Sequence, residues 1–212
     1  MNRPLASCLA ACALVLAGCS TPYYAAMEKF GYAKRDILVE RVIDTRKAQA
    51  EAKDQFASAL TKFIEISRFQ GGALQQKYEE LDREYKRSED RAKEVRSRID
   101  SVESVAEALF REWRQELSQY SNPALRAESQ RQLDATRVRY DELIVIMRRA
   151  ASRMDPVLAT FRDQVLFLKH NLNARALASL EGTNRTLQAD IERLIADMNV
   201  SIREAEVFIR NL

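Results

Sequence analysis

From Leu74 to Tyr120, apolar residues recur at alternating intervals of four and three positions. Twelve of the fourteen positions in this series are apolar or aromatic, and the residues between them are mostly charged or polar. The series is Leu74, Tyr78, Leu81, Tyr85, Ser88, Ala92, Val95, Ile99, Val102, Ala106, Leu109, Trp113, Glu116 and Tyr120. Such a long heptad pattern predicts one amphipathic helix that packs along a continuous seam.

Two later segments repeat this spacing, and an earlier segment follows it less regularly. The third series is Leu133, Thr136, Tyr140, Leu143, Met147, Ala150, Met154, Val157, Phe161, Gln164 and Leu168. The fourth is Leu187, Ile191, Leu194, Met198, Ser201, Ala205, Phe208 and Leu212. The first segment has Phe30, Ala33 and Ile37 early and Phe56, Leu60, Phe63 and Ile64 late.

Helix-breaking residues are sparse, so they indicate the boundaries. The candidates are Gly71-Gly72, Ser121-Asn122-Pro123, and His170-Asn171-Leu172-Asn173 with Gly182 as a rival to the last. Asp155-Pro156 should kink or restart the third helix, with Asp155 as its cap. These signals predict four helices at about 27–69, 73–120, 124–170 and 174–210, and no strand.

The expected fold class is therefore all-α. Because short connections place consecutive helices side by side in opposite directions, we expect an elongated antiparallel four-helix bundle or coiled coil over residues 27–212. A splayed pair of helical hairpins is the rival arrangement. The four seams can satisfy one another, which favours a monomer over an oligomer.

Two hydrophobic runs are wider than a single seam requires. One is Leu143 to Met147, and the other consists of Val165, Leu166, Phe167 and Leu168. A helix that is apolar on several sides is buried on several sides, so packing against two neighbours explains both runs. The alternative is a surface for self-association or for a partner, with Val165 to Leu168 as the candidate residues.

The N-terminus carries a different pattern. Arg3 precedes an apolar stretch, Leu5 to Ala17, which is too short for the roughly 20 residues that span a bilayer. A charged start, a short apolar core and small residues at its end indicate a secretory signal over residues 1–18. One interpretation is an ordinary cleaved signal, in which the adjacent Cys19 is incidental.

A second interpretation comes from the ending Leu16-Ala17-Gly18-Cys19, which resembles the lipobox of bacterial lipoproteins. The resemblance implies cleavage before Cys19, a diacylglycerol on its thiol and usually an acyl chain such as palmitate on its amine. Several acyl chains give stable membrane anchoring. Residues 19–26 would form a tether. Ser20 and Thr21 follow the cysteine, and an Asp there would resemble a signal for retention in the inner membrane. Its absence favours the outer membrane, with the protein facing the periplasm.

Charge and composition exclude several function classes. Removing Arg3 with the signal leaves 33 basic and 31 acidic residues, a balance that gives no general attraction for nucleic acid. Cys8 and Cys12 lie in the predicted signal, and His170 is the one histidine, so neither a His-based nor a Cys-based metal site is expected. Gly71-Gly72 lacks the Lys and Ser or Thr of a phosphate-binding loop.

The charged side chains have two interpretations. Adjacent carboxylates such as Glu79-Glu80, Glu89-Asp90 and Asp141-Glu142 fall mostly outside the seams beside Lys or Arg, which is typical of a solvated face. Arginines crowd residues 126–153, where a solvated face is again expected and contact with lipid phosphates or another anionic envelope polymer is the alternative. His170 would serve as a helix cap or make a hydrogen bond.

Several blocks together resemble a proteobacterial domain-of-unknown-function family of secreted or lipid-anchored helical proteins. The blocks are "FQGG", "DSVESVAEALFREWRQELSQYSNPALR", "RYDELIVIMRRAASRMDPVL" and "FRDQVLFLKHNLNARALASL", within about Tyr24 to Ile209. The resemblance implies no catalytic residue, ligand or cofactor.

The sequence thus predicts a non-catalytic, lipid-anchored helical envelope protein that acts as a scaffold or partner-binding module. Its partners would be the membrane, through the lipid on Cys19, and an envelope protein. One alternative is an accessory subunit that docks to a transport or secretion machine. Another is a structural protein that binds peptidoglycan or lipid without a covalent link. No cofactor and no enzymatic activity are expected.

Overall fold

Five α-helices and one short 3₁₀ turn make up residues 33–212, the part of the chain that the computed structural model describes. The helices are α1 (Lys34–Ser67), α2 (Leu74–Glu116), α3 (Pro123–Ser152), α4 (Met154–His170) and α5 (Ala174–Asn211), and the 3₁₀ turn is Leu117–Gln119. Between residues 33 and 212 there is no strand, so this part of the chain is all-α. The predicted signal peptide, Cys19, the tether and the predicted helix start at residue 27 lie outside the described residues.

Asparagine side chains begin two of the helices. The side-chain oxygen of Asn122 accepts hydrogen bonds from the backbone N–H groups of Ala124 and Leu125 at 2.9 and 3.2 Å, with Pro123 in the first turn. Asn173 caps α5 in the same way. An asparagine cap satisfies donors that have no partner within the helix, which explains why both segments restart at these positions.

The predicted third helix is divided in two at Arg153. Pro156 has no N–H to donate to the carbonyl group of Ser152, and its ring crowds that carbonyl, so the break comes one turn before the proline. Asp155 is not the cap that the sequence predicted. It lies in the first turn of α4, and its carboxylate pairs with Arg96 of α2.

One other predicted boundary differs from the structure, and the rival boundary at Gly182 is not used. The helix α2 ends at Glu116 and continues as the 3₁₀ turn, so Glu116 and Tyr120, the last two seam positions, are exposed. Gly182 lies inside α5 rather than at a break. Apart from the nearby backbone of α5 and the two neighbouring residues, no atom lies within 4 Å of the position that a Cβ atom would take, so this glycine is on an open face of the helix.

The helices pack in a bundle in which α1 contacts α2 and α5, while α3 and α4 also contact α2 and α5. Cross-helix bonds join Lys34 to Glu112 and Gln55 to Glu84, so later residues of α1 meet earlier residues of α2. The bonds from Arg46 to Glu206 and from Lys53 to Asn199 give the same order between α1 and α5. The two turns that follow α1 and α4 therefore lie at one end of the bundle, and the turn between α2 and α3 lies at the other.

The predicted seams form the core. The largest fully buried side chains are Phe56, Phe63, Phe110, Phe161, Ile37, Leu38, Ile66, Leu81, Ile99, Met147, Met154 and Leu168. The ring of Phe161 packs edge-to-face with the rings of Phe63 and Tyr85, at centroid distances of 5.7 and 6.0 Å. One aromatic group therefore joins α1, α2 and α4, and such edge-to-face pairs add stability beyond the area that they bury.

Candidate functional site

The arginine-rich region 126–153 is largely engaged in contacts within the bundle. Arg148 of α3 pairs with Asp100 and Glu103 of α2, and these hydrogen bonds raise the pKa of its guanidinium. Arg149 and Arg153 share the carboxylate of Asp197 in α5. These pairs agree with the interpretation of a solvated, ion-paired face.

Arg137 and Arg139 are engaged as well. The guanidinium of Arg137 lies over the rings of Phe110 and Tyr140, 5.1 and 5.8 Å from their centroids, and pairs with Asp141. Arg139 donates to the hydroxyl of Thr136 and to a backbone carbonyl near the C-terminus. Arg137 is therefore engaged at the bundle surface, whereas both of these acceptors of Arg139 are neutral oxygens.

Four of the six adjacent carboxylates singled out in the sequence have local partners. Glu80 pairs with Lys77, Glu79 accepts from Gln75, and Glu89 accepts from the hydroxyl of Tyr85. Each contact joins residues three or four positions apart on one helix, as solvated helix faces do. Among residues 33–212, no group of three His, Cys, Asp or Glu side chains could hold a metal ion.

A cavity of about 570 Å³ opens at the end of the bundle where α1 begins and α5 ends. Its lining includes Trp113, Glu112, Arg35 and Arg139, but neither a histidine nor a cysteine. The indole N–H of Trp113 donates to the hydroxyl of Ser129 at 2.8 Å, and Glu112 is paired with Lys34 at 2.9 Å. These contacts fix the walls of the cavity, and they do not form a nucleophile with an adjacent base.

The residues predicted as a partner surface are divided between the core and the solvent. Val165 and Leu168 are buried, with 4% and 0% of their surface exposed. Leu166 and Phe167 are 48% and 37% exposed. Because α4 contacts both α2 and α5, one side of this hydrophobic run packs inward. Only Leu166 and Phe167 are therefore available to a partner.

Leu166 and Phe167 belong to a larger feature at the turn between α4 and α5, which we call the distal tip. It consists of the exposed residues Leu166, Phe167, Lys169, His170, Leu172 and Arg175. The sequence singled out Leu166, Phe167 and His170, but Lys169, Leu172 and Arg175 were missed. Their signal is that apolar and basic residues occur within ten positions on both sides of a predicted helix boundary. They form one surface only when both helices are placed.

The distal tip extends past the end of α1. Ser67, the last residue of α1, accepts a hydrogen bond at 2.7 Å from the side-chain amide of Asn184 in α5. Since α5 begins at Ala174, almost three turns of it precede this contact. Gln164 of α4 bonds to Thr183 and Ser179 at the same level. The turn Asn171–Asn173 is therefore at the far end of a helical pair that continues beyond α1.

Comparison with known proteins identifies a family for this chain. Residues 23–212 match the model of a family described as proteins of unknown function, DUF2959. The chain belongs to the DUF2959 family. No curated protein matches it, and no solved structure matches it. The DUF2959 domain thus includes every helix of the bundle as well as ten residues before the described part.

A helix that crosses a bilayer has about 20 consecutive residues that are predominantly apolar. In the described range, no helix is both long enough and apolar enough to cross a membrane.

Proposed function

We propose that this protein is a non-catalytic, lipid-anchored helical protein of the cell envelope that acts as a spacer or scaffold. Cys19 would be the lipidated residue, at the outer membrane and facing the periplasm. Support for the anchor comes from the lipobox-like residues Leu16-Ala17-Gly18-Cys19 and the signal-like segment before them.

The observation that carries the spacer role is the placement of the two ends of the bundle. The helix α1 starts at Lys34, fifteen residues after Cys19, at the end opposite the distal tip. The helix α5 has 38 residues and therefore a length of about 57 Å. In an elongated antiparallel bundle anchored through Cys19, the distal tip would stand that far from the membrane.

The use of the side chains supports a role without catalysis. Apolar seam residues from all five helices are buried against one another, and three of the seven arginines between residues 126 and 153 pair with carboxylates of neighbouring helices. General acid–base catalysis requires paired titratable groups inside a cleft. The cavity is lined by two carboxylates, Glu112 and Glu116, and Glu112 is paired with Lys34.

The experiment that tests the proposal compares Cys19→Ala with Cys12→Ala and the native protein in membrane fractionation. We expect native protein and Cys12→Ala in the membrane fraction, with lipid attached to the chain. Cys19→Ala should carry no lipid. The same membrane fractionation and lipid content for Cys19→Ala as for the native protein would contradict the anchor. In-cell crosslinking with mass spectrometry on the same three strains would then identify the neighbours of the bundle.

A docking role is the second candidate, favoured by the exposed Leu166 and Phe167. An accessory subunit of a transport or secretion machine would bury such side chains against its partner. Crosslinks from α4 to one transporter, lost in Leu166→Ser/Phe167→Ser, would favour this role over that of a spacer. Crosslinks confined to the bundle itself would count against it.

A further inference from the structure

The distal tip combines exposed apolar side chains with basic ones that lack acidic partners. Leu166, Phe167 and Leu172 have 48%, 37% and 41% of their surface exposed. Lys169 and Arg175 are exposed and form no ion pair with any residue in the range 33–212. His170 lies between them at the end of α4.

The local structure holds these residues at an apex. The side-chain amide of Asn171 donates to the carbonyl oxygen of Phe167 at 3.0 Å, which closes the last turn of α4. Asn173 caps α5 immediately afterwards, and the two buried residues Val165 and Leu168 hold α4 against its neighbours. The exposed apolar and basic side chains are therefore presented together on a supported turn.

Charge complementarity indicates the occupant of this surface. Lys and Arg without acidic neighbours are attracted by anionic lipid headgroups, and flanking Leu and Phe side chains insert at the boundary between headgroups and acyl chains. Lys77, near the opposite turn of the same end, is in contrast paired with Glu80. At the tip, two basic side chains without an ion pair therefore lie close to three exposed apolar side chains.

We propose that the distal tip binds a second membrane surface that is rich in anionic lipids. This inference rests on the proposed function, because an anchor on Cys19 would hold the other end of the bundle in a first membrane. The protein would then connect two lipid surfaces separated by approximately the length of its helices. The tip would add apolar insertion and electrostatic attraction, of which the second weakens with salt.

The test is a vesicle-clustering experiment with the full lipid-modified protein. Donor vesicles of phosphatidylcholine carry the protein, and acceptor vesicles contain either phosphatidylcholine alone or phosphatidylcholine with phosphatidylglycerol. We expect clustering, measured by light scattering, only with the phosphatidylglycerol acceptors, and we expect it to weaken as salt is added. Equal clustering with both acceptors would overturn the proposal.

Two variants separate the charge contribution from the apolar one. Lys169→Gln/Arg175→Gln should reduce the clustering rate at least about tenfold, and Leu166→Ser/Phe167→Ser should reduce it as well. The matched controls are Lys93→Gln/Arg203→Gln and Val138→Ser/Val145→Ser, which change exposed residues away from the tip. Circular dichroism verifies that all variants fold. If both tip variants cluster the vesicles as fast as the native protein does, the proposal is wrong.

The failure of the anchor and the failure of the tip give different results. If the protein does not remain with the donor vesicles, the anchor proposal is wrong, and cosedimentation of the same protein with phosphatidylglycerol acceptors then tests the tip alone. If it remains but does not cluster anionic acceptors, the tip proposal is wrong. Retention by purified peptidoglycan in that case would assign the tip to the cell wall instead.

Discussion

The side-chain oxygen of Gln49 accepts a hydrogen bond at 2.9 Å from the hydroxyl of Ser201, and both residues are fully buried. The bond joins α1 to α5 in the middle of an otherwise apolar core. The amide nitrogen of Gln49 has no partner among the described residues. A buried polar group left without a partner costs free energy, so this pair favours one register of the two helices over a shifted one.

Removing one member of this pair should cost more than removing both. Ser201→Ala leaves the oxygen of Gln49 without a donor and should lower the free energy of unfolding by about 1–3 kcal/mol. Gln49→Met/Ser201→Ala should recover most of this loss, because no buried polar side chain remains at the contact. Urea unfolding measures the free energy of unfolding of the single and the double variant. Ser97→Ala, which changes an exposed serine, is the control. Equal losses in the single and double variants would show that the bond does not determine the cost.

The two phenylalanines of α4 provide a matched comparison of burial. Phe161 is fully buried against Phe63 and Tyr85, so Phe161→Ala should lower the free energy of unfolding by about 3–5 kcal/mol. Phe167 is 37% exposed, and Phe167→Ala should cost much less. Chemical denaturation of the two variants checks the difference. Similar losses would mean that Phe167 is buried in solution, by a partner or by a second copy.

The turn between α1 and α2 contains two glycines with different surroundings. A Cβ atom on Gly71 would lie 2.8 Å from the Cζ atom of the Phe69 ring, whereas nothing lies within 4 Å of one on Gly72. Gly71→Ala should displace this ring from Lys77, whose Nζ atom is 5.3 Å from the ring centroid, and lower the melting temperature. Gly72→Ala should leave the melting temperature unchanged or raise it slightly. The opposite order of the two melting temperatures would contradict this packing of Phe69.

Tyr140 should make the stability sensitive to high pH. Burial, followed by the charge of Glu103, raises the pKa of its phenol from 10.0 to about 12. The folded state therefore keeps the proton more tightly than the unfolded state. Its contribution to stability is complete below pH 10.0 and is lost as the pH rises towards about 12.

Tyr140→Phe has no proton to lose, so its free energy of unfolding should fall less steeply over this range than that of the native protein. Urea unfolding at a series of pH values measures the difference between the two curves. Because every other tyrosine and lysine titrates equally in both proteins, the difference isolates Tyr140. Parallel curves would mean that the phenol of Tyr140 is not perturbed by folding.

The distal tip illustrates what could be predicted from local patterns. The run Val165 to Leu168 was noticed because it is wider than one seam, but its spacing does not indicate which residues face a neighbour. The contacts of α4 with both α2 and α5 bury Val165 and Leu168 and leave Leu166 and Phe167 outside. Arg175 and Leu172 join them only because the turn brings α5 back beside α4.

The break in the third predicted helix also shows which features the sequence predicts and which the packing decides. Pro156 predicts an interruption, since it removes a donor and crowds the preceding turn. The role of Asp155 was not predictable from the same residues, because its partner Arg96 is on α2 and is far away in sequence. A local rule identifies the disturbance, and the packing of helices decides how the side chains around it are used.

The sequence by itself determined the helical class, the seam residues and most helix boundaries of this DUF2959 protein. These features depend on residue spacing and on capping and breaking residues, which act over a few positions. Only the tertiary structure decided the pairing of Gln49 with Ser201, the burial of Val165 and Leu168 and the composition of the distal tip. Each of these depends on residues from different helices. The heptad pattern recurs along the chain and does not specify which seam packs against which.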